Sequence, residues 1–324
     1  MTADPTMRAA VLTAFGSPDV LKIIDLPRPT NADDEVLVRV FATTVNGGEL
    51  FAREGRASLI TGTKFPQRMG IDFTGVIVNV GANVDDHAVG DRVWGILADD
   101  KFGAASEYVA VSPDVISLAP ESVSLTEAAS VLVGGVTALL ALTSKAQLKP
   151  DERLLVRGAN GGVGSVAVQL GRHLGARVTG IASTRNREFV AGLGAQHVHD
   201  YARDGALPSG PFDVVVDTVG ADLHRSRRLL SRSGRMIAVA LDFTHLLRSI
   251  WFVALSTVHG SRRIRFFRGK PSTEVLRHLA ELVDAGAITP VVDTVHSLEN
   301  VAQAHRALAA GGVRGKHVIE VVAV

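Results

Sequence analysis

The chain has no cysteine in 324 residues. That absence excludes disulfides, iron–sulfur clusters, thiolate nucleophiles and every zinc site built on sulfur. An excess of one charge is also missing: 34 Lys and Arg stand against 33 Asp and Glu, a formal net charge of +1. A chain near neutrality carries no global basic footprint, so a small molecule is the expected partner, with no nucleic acid and no membrane. The most hydrophobic unusual stretch, residues 246–258, has Arg248 inside it and falls short of the ~20 residues a bilayer span needs. Residues 1–7 hold an acid and a proline and lack the basic start and apolar core of a signal peptide, so a cytoplasmic location is expected.

What is present is enough chain for two domains, with 46% hydrophobic residues to fill their cores. Residues 7–112 show short apolar runs rich in β-branched side chains and cut by Gly, Pro, Asn and Asp. The pattern predicts strands over 9–12, 35–44, 72–80, 91–95 and 107–111. At Leu125 the rhythm becomes helical and holds to Leu142, with Ser124 or Thr126 as N-cap. Strands over 153–157, 177–182, 197–200, 213–217 and 235–240 then alternate with helices over 162–174, 186–193 and 221–230. One more strand is expected near 262–267, a helix over 272–285, and a closing strand, helix and strand over 291–295, 298–309 and 317–322. The predicted fold class is α/β, a doubly wound parallel sheet beside a mostly-β domain.

The most informative residues are Gly158-Ala159-Asn160-Gly161-Gly162-Val163-Gly164, which follow an apolar strand and open a helix. Ala159, Gly161 and Gly164 take the three small-residue positions of a dinucleotide-binding turn. Gly161 lets the backbone approach a pyrophosphate, Gly164 lets the helix close on the strand, and the free N–H groups at the helix start favour phosphate charge. About 20 residues further on, where NAD-binding sheets place an acid on the ribose 2′-OH, the chain reads Ser183-Thr184-Arg185-Asn186-Arg187. Hydroxyl and guanidinium groups suit a 2′-phosphate, so NADP(H) is the expected cofactor. The alternative for Arg185 and Arg187, as solvated first-turn residues of the next helix, carries less weight.

Taken with Val45-Asn46, Gly70-Ile71-Asp72-Phe73-Thr74-Gly75, Gly90-Asp91-Arg92-Val93-Trp94-Gly95, Gly135-Val136-Thr137-Ala138 and Gly315-Lys316-His317-Val318, the chain resembles the medium-chain dehydrogenase/reductase superfamily. Within it, the likeness is to the zinc-independent, quinone oxidoreductase-like branch. The resemblance implies a GroES-like domain over 1–125 and 271–324, a Rossmann NADP(H)-binding domain over 126–270, and the nicotinamide in the cleft between them. It sets Asn46 near the nicotinamide, Thr137 and Val219 beside the cofactor, and Tyr201 at the adenosine phosphate with Ser183, Thr184 and Arg185. Lys316 either reaches the cofactor or sits in a turn, Tyr201 is otherwise a surface aromatic, and Asp72 pairs in the cleft or ties down its own loop. Zinc-dependent relatives place a ligand cysteine about where Asn46 stands and Gly-His-Glu where this chain has Gly70-Ile71-Asp72, so no metal is expected.

Without a Lewis acid, reduction suits acceptors already activated by conjugation, so the resemblance points to an NADPH-dependent reductase of quinones or α,β-unsaturated carbonyls, expected as a homodimer. A loop tyrosine found in some relatives is missing, since the chain has only Tyr108 and Tyr201. Asn46 and Arg53 are the remaining candidate catalytic donors, and Glu49 a candidate proton carrier. Glu49 and Arg53 read more simply as a solvated pair four residues apart. Two rival functions stand beside this one: an enoyl-thioester reductase, and a cofactor-binding protein with little turnover in a structural or RNA-associated role. The basic clusters Arg225-Arg227-Arg228-Arg232-Arg235 and Arg262-Arg263-Arg265-Arg268-Lys270 read as solvated faces, and 246–258 as a pocket lid or dimer contact.

Overall fold

The computed structural model describes residues 6–97, 102–205, 207–240, 263–266 and 271–321. The 246–258 segment, with Arg262, Arg268 and Lys270, lies outside the described residues. The chain forms two compact units. One comprises Met1–Val133, Pro271–Ala285 and Pro290–Val324; the other comprises Gly134–Lys270 and Gly286–Thr289. The division falls inside the helix that begins at Leu125.

The first unit is mostly β. Its larger sheet is organised on strand Val36–Thr44, which pairs antiparallel with Asp72–Val80, Tyr108–Val111 and Lys316–Glu320. Beyond Asp72–Val80 lie Arg92–Ile96 and Ile116–Leu118, and beyond Lys316–Glu320 lies Val292–Ser297. A smaller sheet joins Thr6–Leu12 to Leu21–Pro27 and Gln67–Arg68. Val36, Val38, Val40, Phe73, Ile77 and Ile116 pack in one core with no solvent exposure. Each such aliphatic residue contributes roughly 1.5–3 kcal/mol by leaving water. This arrangement brings the ends of strands Val36–Thr44, Asp72–Val80 and Lys316–Glu320 together, which matters for the site below.

The second unit is a six-stranded sheet, all parallel, in the spatial order His197–Asp200, Arg177–Ala182, Arg153–Arg157, Phe212–Asp217, Leu230–Ala238 and Arg263–Phe266. Leu154, Leu155, Val156, Val214, Val215 and Val216 are fully buried. Such uninterrupted apolar runs are what a strand needs when both of its faces are covered. Strand order reverses between Arg153–Arg157 and Phe212–Asp217, and in open α/β sheets ligands bind beyond the carboxyl ends at that point.

Two predicted elements shift. The helix expected over 221–230 is only Leu223–Arg228: Asp222 takes a left-handed conformation (φ 54°) at its start, and Leu230 pairs with Phe212 and already belongs to the sheet. Strand Leu230–Ala238 therefore begins five residues earlier than its alternation suggested. The helix Leu125–Leu139 continues as a π-helical turn, Leu140–Lys145. Arg235 donates to the carbonyls of Ala146 (2.6 Å) and Gln147 (2.9 Å) just past that turn and to both oxygens of Glu152. Arg265 donates to the Lys145 carbonyl. Arg235, expected on a solvated face, is half-buried and caps a helix end. By length and composition the span Leu125–Lys145 is apolar enough to cross a membrane, and 72% of its most apolar window is buried.

Where Gly134 meets the helix that opens the parallel sheet, a Cβ would stand 2.3 Å from the Gly162 carbonyl oxygen. Gly134→Ala is expected to cost about 1–3 kcal/mol by overpacking, seen as a lowered thermal midpoint. Gly47→Ala, with nothing within 4 Å of its Cβ, is the control and leaves the midpoint unchanged or raised. Equal midpoints in the two variants would refute the tight contact.

Candidate functional site

The glycine turn lies at the reversal of strand order. Gly158 follows strand Arg153–Arg157 in the left-handed conformation (φ 72°), and a Cβ there would meet Thr218 Oγ1 at 2.3 Å. Gly164 sits in the first turn of helix Gly162–His173, where a Cβ would lie 2.0 Å from the Gly158 carbonyl oxygen. Both positions thus demand glycine for internal reasons. Gly161 does not: its backbone is ordinary (φ −83°), and the nearest atom to a Cβ is 3.6 Å away. The space a side chain would fill there faces outward, as a close-approaching ligand requires. Gly161 caps the helix and offers no side chain to its first N–H groups. Asn160, Gly161, Gly162 and Val163 are partly accessible, whereas Ala159 and Gly164 are buried. Ala159, at the first small-residue position of the turn, packs inward with its N–H on the Ile181 carbonyl, and the left-handed residue is the preceding Gly158.

Ser183, Thr184 and Arg185 follow strand Arg177–Ala182, and Tyr201 follows its parallel neighbour His197–Asp200. Register pairs Ala182 with Asp200, so these loops share one end of the sheet. Arg185 and Tyr201 are exposed and Ser183 is half-buried. Thr184 is exposed, and its hydroxyl donates to Asp200 Oδ2 at 2.6 Å. Thr137 is half-buried in the second unit, and Val219 is half-exposed, 3.3 Å from a Cβ at Gly158.

In the first unit, the converging strand ends build a buried polar cluster. Asn46 precedes helix Gly47–Arg53, and Glu49 at its third position reaches back to the Asn46 N–H at 3.2 Å, half of a capping box. The Asn46 amide nitrogen donates to Glu49 Oε1 (3.1 Å) and Asp72 Oδ1 (3.2 Å). Its oxygen accepts from Lys316 Nζ, which also donates to the Val45 carbonyl at 3.0 Å. Asp72 accepts from the Thr44 hydroxyl at 2.6 Å and the Thr44 N–H at 3.2 Å, while Glu49 Oε2 accepts from the Gly70 N–H at 3.1 Å. Glu49, Asp72 and Lys316 are all buried. Desolvation, then the neighbouring Asp72, pushes the Glu49 carboxyl up to about 7, against the opposing pull of Asn46, Lys316 and the Gly70 N–H. Burial likewise raises Asp72 and lowers Lys316, each partly offset by the other's charge. With Glu49 protonated, Asp72 and Lys316 balance and the cluster is neutral.

Lys316 is therefore no turn residue, and Asp72 does more than tie its own loop. Asn46 stands between the carboxyls and the ammonium, with its amide hydrogens committed to neighbours. Arg53 is not brought to this cluster. It is buried at the far end of its short helix, bonded to Glu54 at 3.0 Å, and its charge faces His305. The solvated Glu49–Arg53 pair does not form, since both side chains are buried and their partners differ. Among the described residues, no group of three or more His, Cys, Asp and Glu side chains is placed to hold a metal ion.

This geometry has known counterparts. Residues 32–121 match the alcohol dehydrogenase GroES-like domain and residues 193–319 the zinc-binding dehydrogenase domain. The chain belongs to the medium-chain dehydrogenase/reductase superfamily, in its quinone oxidoreductase-like branch. It is 32% identical to the chloroplast envelope quinone oxidoreductase homolog of Arabidopsis thaliana, over 93% of this chain and 94% of that one. It is 30% identical to the human mitochondrial NAD(P)H oxidoreductase RTN4IP1, over 98% and 89%. The solved quinone oxidoreductase of Coxiella burnetii superposes with a TM-score of 0.89 at 32% identity, covering 98% of this chain and 100% of that one.

Glu49 makes the cluster pH-sensitive. Its folded-state value, about 7, lies above the ordinary 4.5, so its contribution to stability is fully present below pH 4.5 and is lost as pH rises through about 7. The change is on the order of 3 kcal/mol at 1.36 kcal/mol per pH unit. His305, pushed down to about 4 by burial, works in the opposite sense as pH falls below 6.5. The difference between wild type and Glu49→Gln cancels it, because His305 is retained in both. Denaturant midpoints measured from pH 4.5 to 8 are expected to fall with pH more steeply in wild type; parallel curves would refute the assignment.

Proposed function

We propose that the protein is a zinc-independent, NADPH-dependent reductase of quinones or α,β-unsaturated carbonyls. The observation that carries the reading is the Lys316–Asn46 contact: a buried ammonium is bonded to the side chain that stands about where zinc-dependent relatives place a ligand cysteine. A positive charge is thus already supplied there by the chain itself. The dinucleotide fits the turn of the parallel sheet, where Gly161 leaves open space at a helix start and Arg185, Ser183 and Tyr201 share one sheet end with polar groups suited to a 2′-phosphate. When bound, NADPH supplies the hydride.

A conjugated acceptor takes hydride at carbon while negative charge moves to oxygen, so the protein's task is to stabilise that oxygen. Lys316 is the donor for it, through the Nζ that bonds Asn46. Asn46 holds the ammonium in place, while Thr44 keeps Asp72 hydrogen-bonded nearby. Arg53, bonded elsewhere, has no part. The names of the relatives, quinone and NAD(P)H oxidoreductases, support the substrate and cofactor class. The expected homodimer is tested by light scattering.

Arg185→Ala is expected to weaken NADPH about tenfold or more while leaving NADH within twofold, by fluorescence titration with metal analysis of the same sample; equal losses, or stoichiometric transition metal, would sink the reading. In NADPH-oxidation assays an enone or quinone is expected to turn over and a crotonyl thioester to lag. Lys316→Met is expected to lower kcat by about a hundredfold, on the scale of a lost oxyanion donor. Unchanged kcat would remove Lys316 from the chemistry, and no oxidation of any acceptor would favour a binding role.

A further inference from the structure

At the carboxyl ends of the two central parallel strands lies an ion pair that the chemistry above does not use. Arg157 ends strand Arg153–Arg157, directly before Gly158, and Asp217 ends the neighbouring strand Phe212–Asp217. Asp217 has no solvent exposure and the Arg157 side chain very little. The guanidinium Nη1 donates to Asp217, to the Ala221 carbonyl (2.7 Å) and to the Ser226 hydroxyl (2.7 Å). Asp217 Oδ1 accepts the N–H groups of Val219 and Gly220, both at 2.9 Å. The Thr218 hydroxyl closes the arrangement by donating to the Arg157 carbonyl at 2.7 Å.

Every backbone group that this pair holds belongs to one segment, 219–221. That segment stands over the glycine turn: Val219 Cγ2 lies 3.3 Å from the Cβ position of Gly158, with half of the residue open to solvent. A buried ion pair is weak evidence for stability, since apolar side chains of like volume serve as well. What apolar side chains cannot do is bond the N–H of Val219, the N–H of Gly220 and the carbonyl of Ala221 at once, fixing that segment beside the turn.

We propose that Arg157 is a positioning residue for the dinucleotide: through Asp217 it locks segment 219–221 against the glycine turn, so that the two walls of the cradle form one preorganised surface. This rests on the cofactor reading above. An unlocked segment must be ordered by the ligand itself, and that ordering weakens binding. The adenosine end, at Ser183 and Arg185 on another pair of strands, does not depend on the lock.

The test compares NADPH with an adenosine-half probe, 2′,5′-ADP or 5′-AMP, whichever the wild type binds, by titration calorimetry on folded protein. Arg157→Met is expected to weaken NADPH about tenfold and the probe by less than twofold. Arg157→Lys, which keeps the charge near Asp217 but lacks the planar fork, is expected to fall between. Should Arg157→Met fail to fold because Asp217 is left buried and unpaired, Arg157→Met/Asp217→Leu removes both charges and is expected to show the same split. NADPH affinity within twofold of wild type, or equal loss of both ligands, overturns the proposal. A wild type that binds no pyridine nucleotide overturns the cofactor reading instead.

Discussion

The second unit depends on backbone packing directly against backbone. At the reversal of strand order, the first turn of helix Gly162–His173 rests on the Gly158 carbonyl with no room for a methyl group, and Gly134 brings a second helix to the Gly162 carbonyl in the same way. These approaches fix where the first helical N–H groups point. Once they point outward past Gly161, an anion has a site whose geometry no side chain needs to supply. The side chains around it have a different task, which is to hold neighbouring segments still.

The first unit solves a harder electrostatic problem. Glu49, Asp72 and Lys316 are all withdrawn from water, a costly arrangement unless charges are matched and lone pairs filled. Both conditions are met through strand pairing: Thr44 pairs with Val318, which places Lys316 near the segment that carries Asn46, while Asp72 enters from the adjoining strand. Asn46 suits its position because an amide offers one acceptor to the ammonium and two donors to the carboxyls. A cysteine in its place would bring one weak donor and no second one.

Much of this was legible in the sequence. Strands 72–80, 153–157 and 177–182 were readable to the residue because short β-branched apolar runs stand there between turn residues and charge, and 197–200 because the βα alternation calls for a strand at that place. The helix Gly47–Arg53 was harder to read, since two glycines open it and two of its three buried residues, Glu49 and Arg53, are charged types. Four-residue spacing suggested that Glu49 and Arg53 share a surface, yet Glu49 bonds back to Asn46 and across to Gly70, while Arg53 bonds its chain neighbour Glu54. The need for glycine at Gly158 was not legible, because it comes from a left-handed backbone and from Thr218, 60 residues further on. The Arg157–Asp217 pair left no local signal, because its partners are 60 residues apart and meet only through parallel pairing.

The first unit is assembled from three separated stretches of chain, and the strand Lys316–Glu320 lies between Val36–Thr44 and Val292–Ser297, well inside its larger sheet. A ribosome makes that strand only after the whole of the largely contiguous parallel-sheet unit. Until then Glu49 and Asp72 have no ammonium near them, and the Ala42–Thr44 end of strand Val36–Thr44 presents unpaired amides to any passing chain. The newborn protein therefore passes through an interval in which one half is complete and the other exposes an acidic, sticky edge, and this is the stage at which chaperones would find their grip.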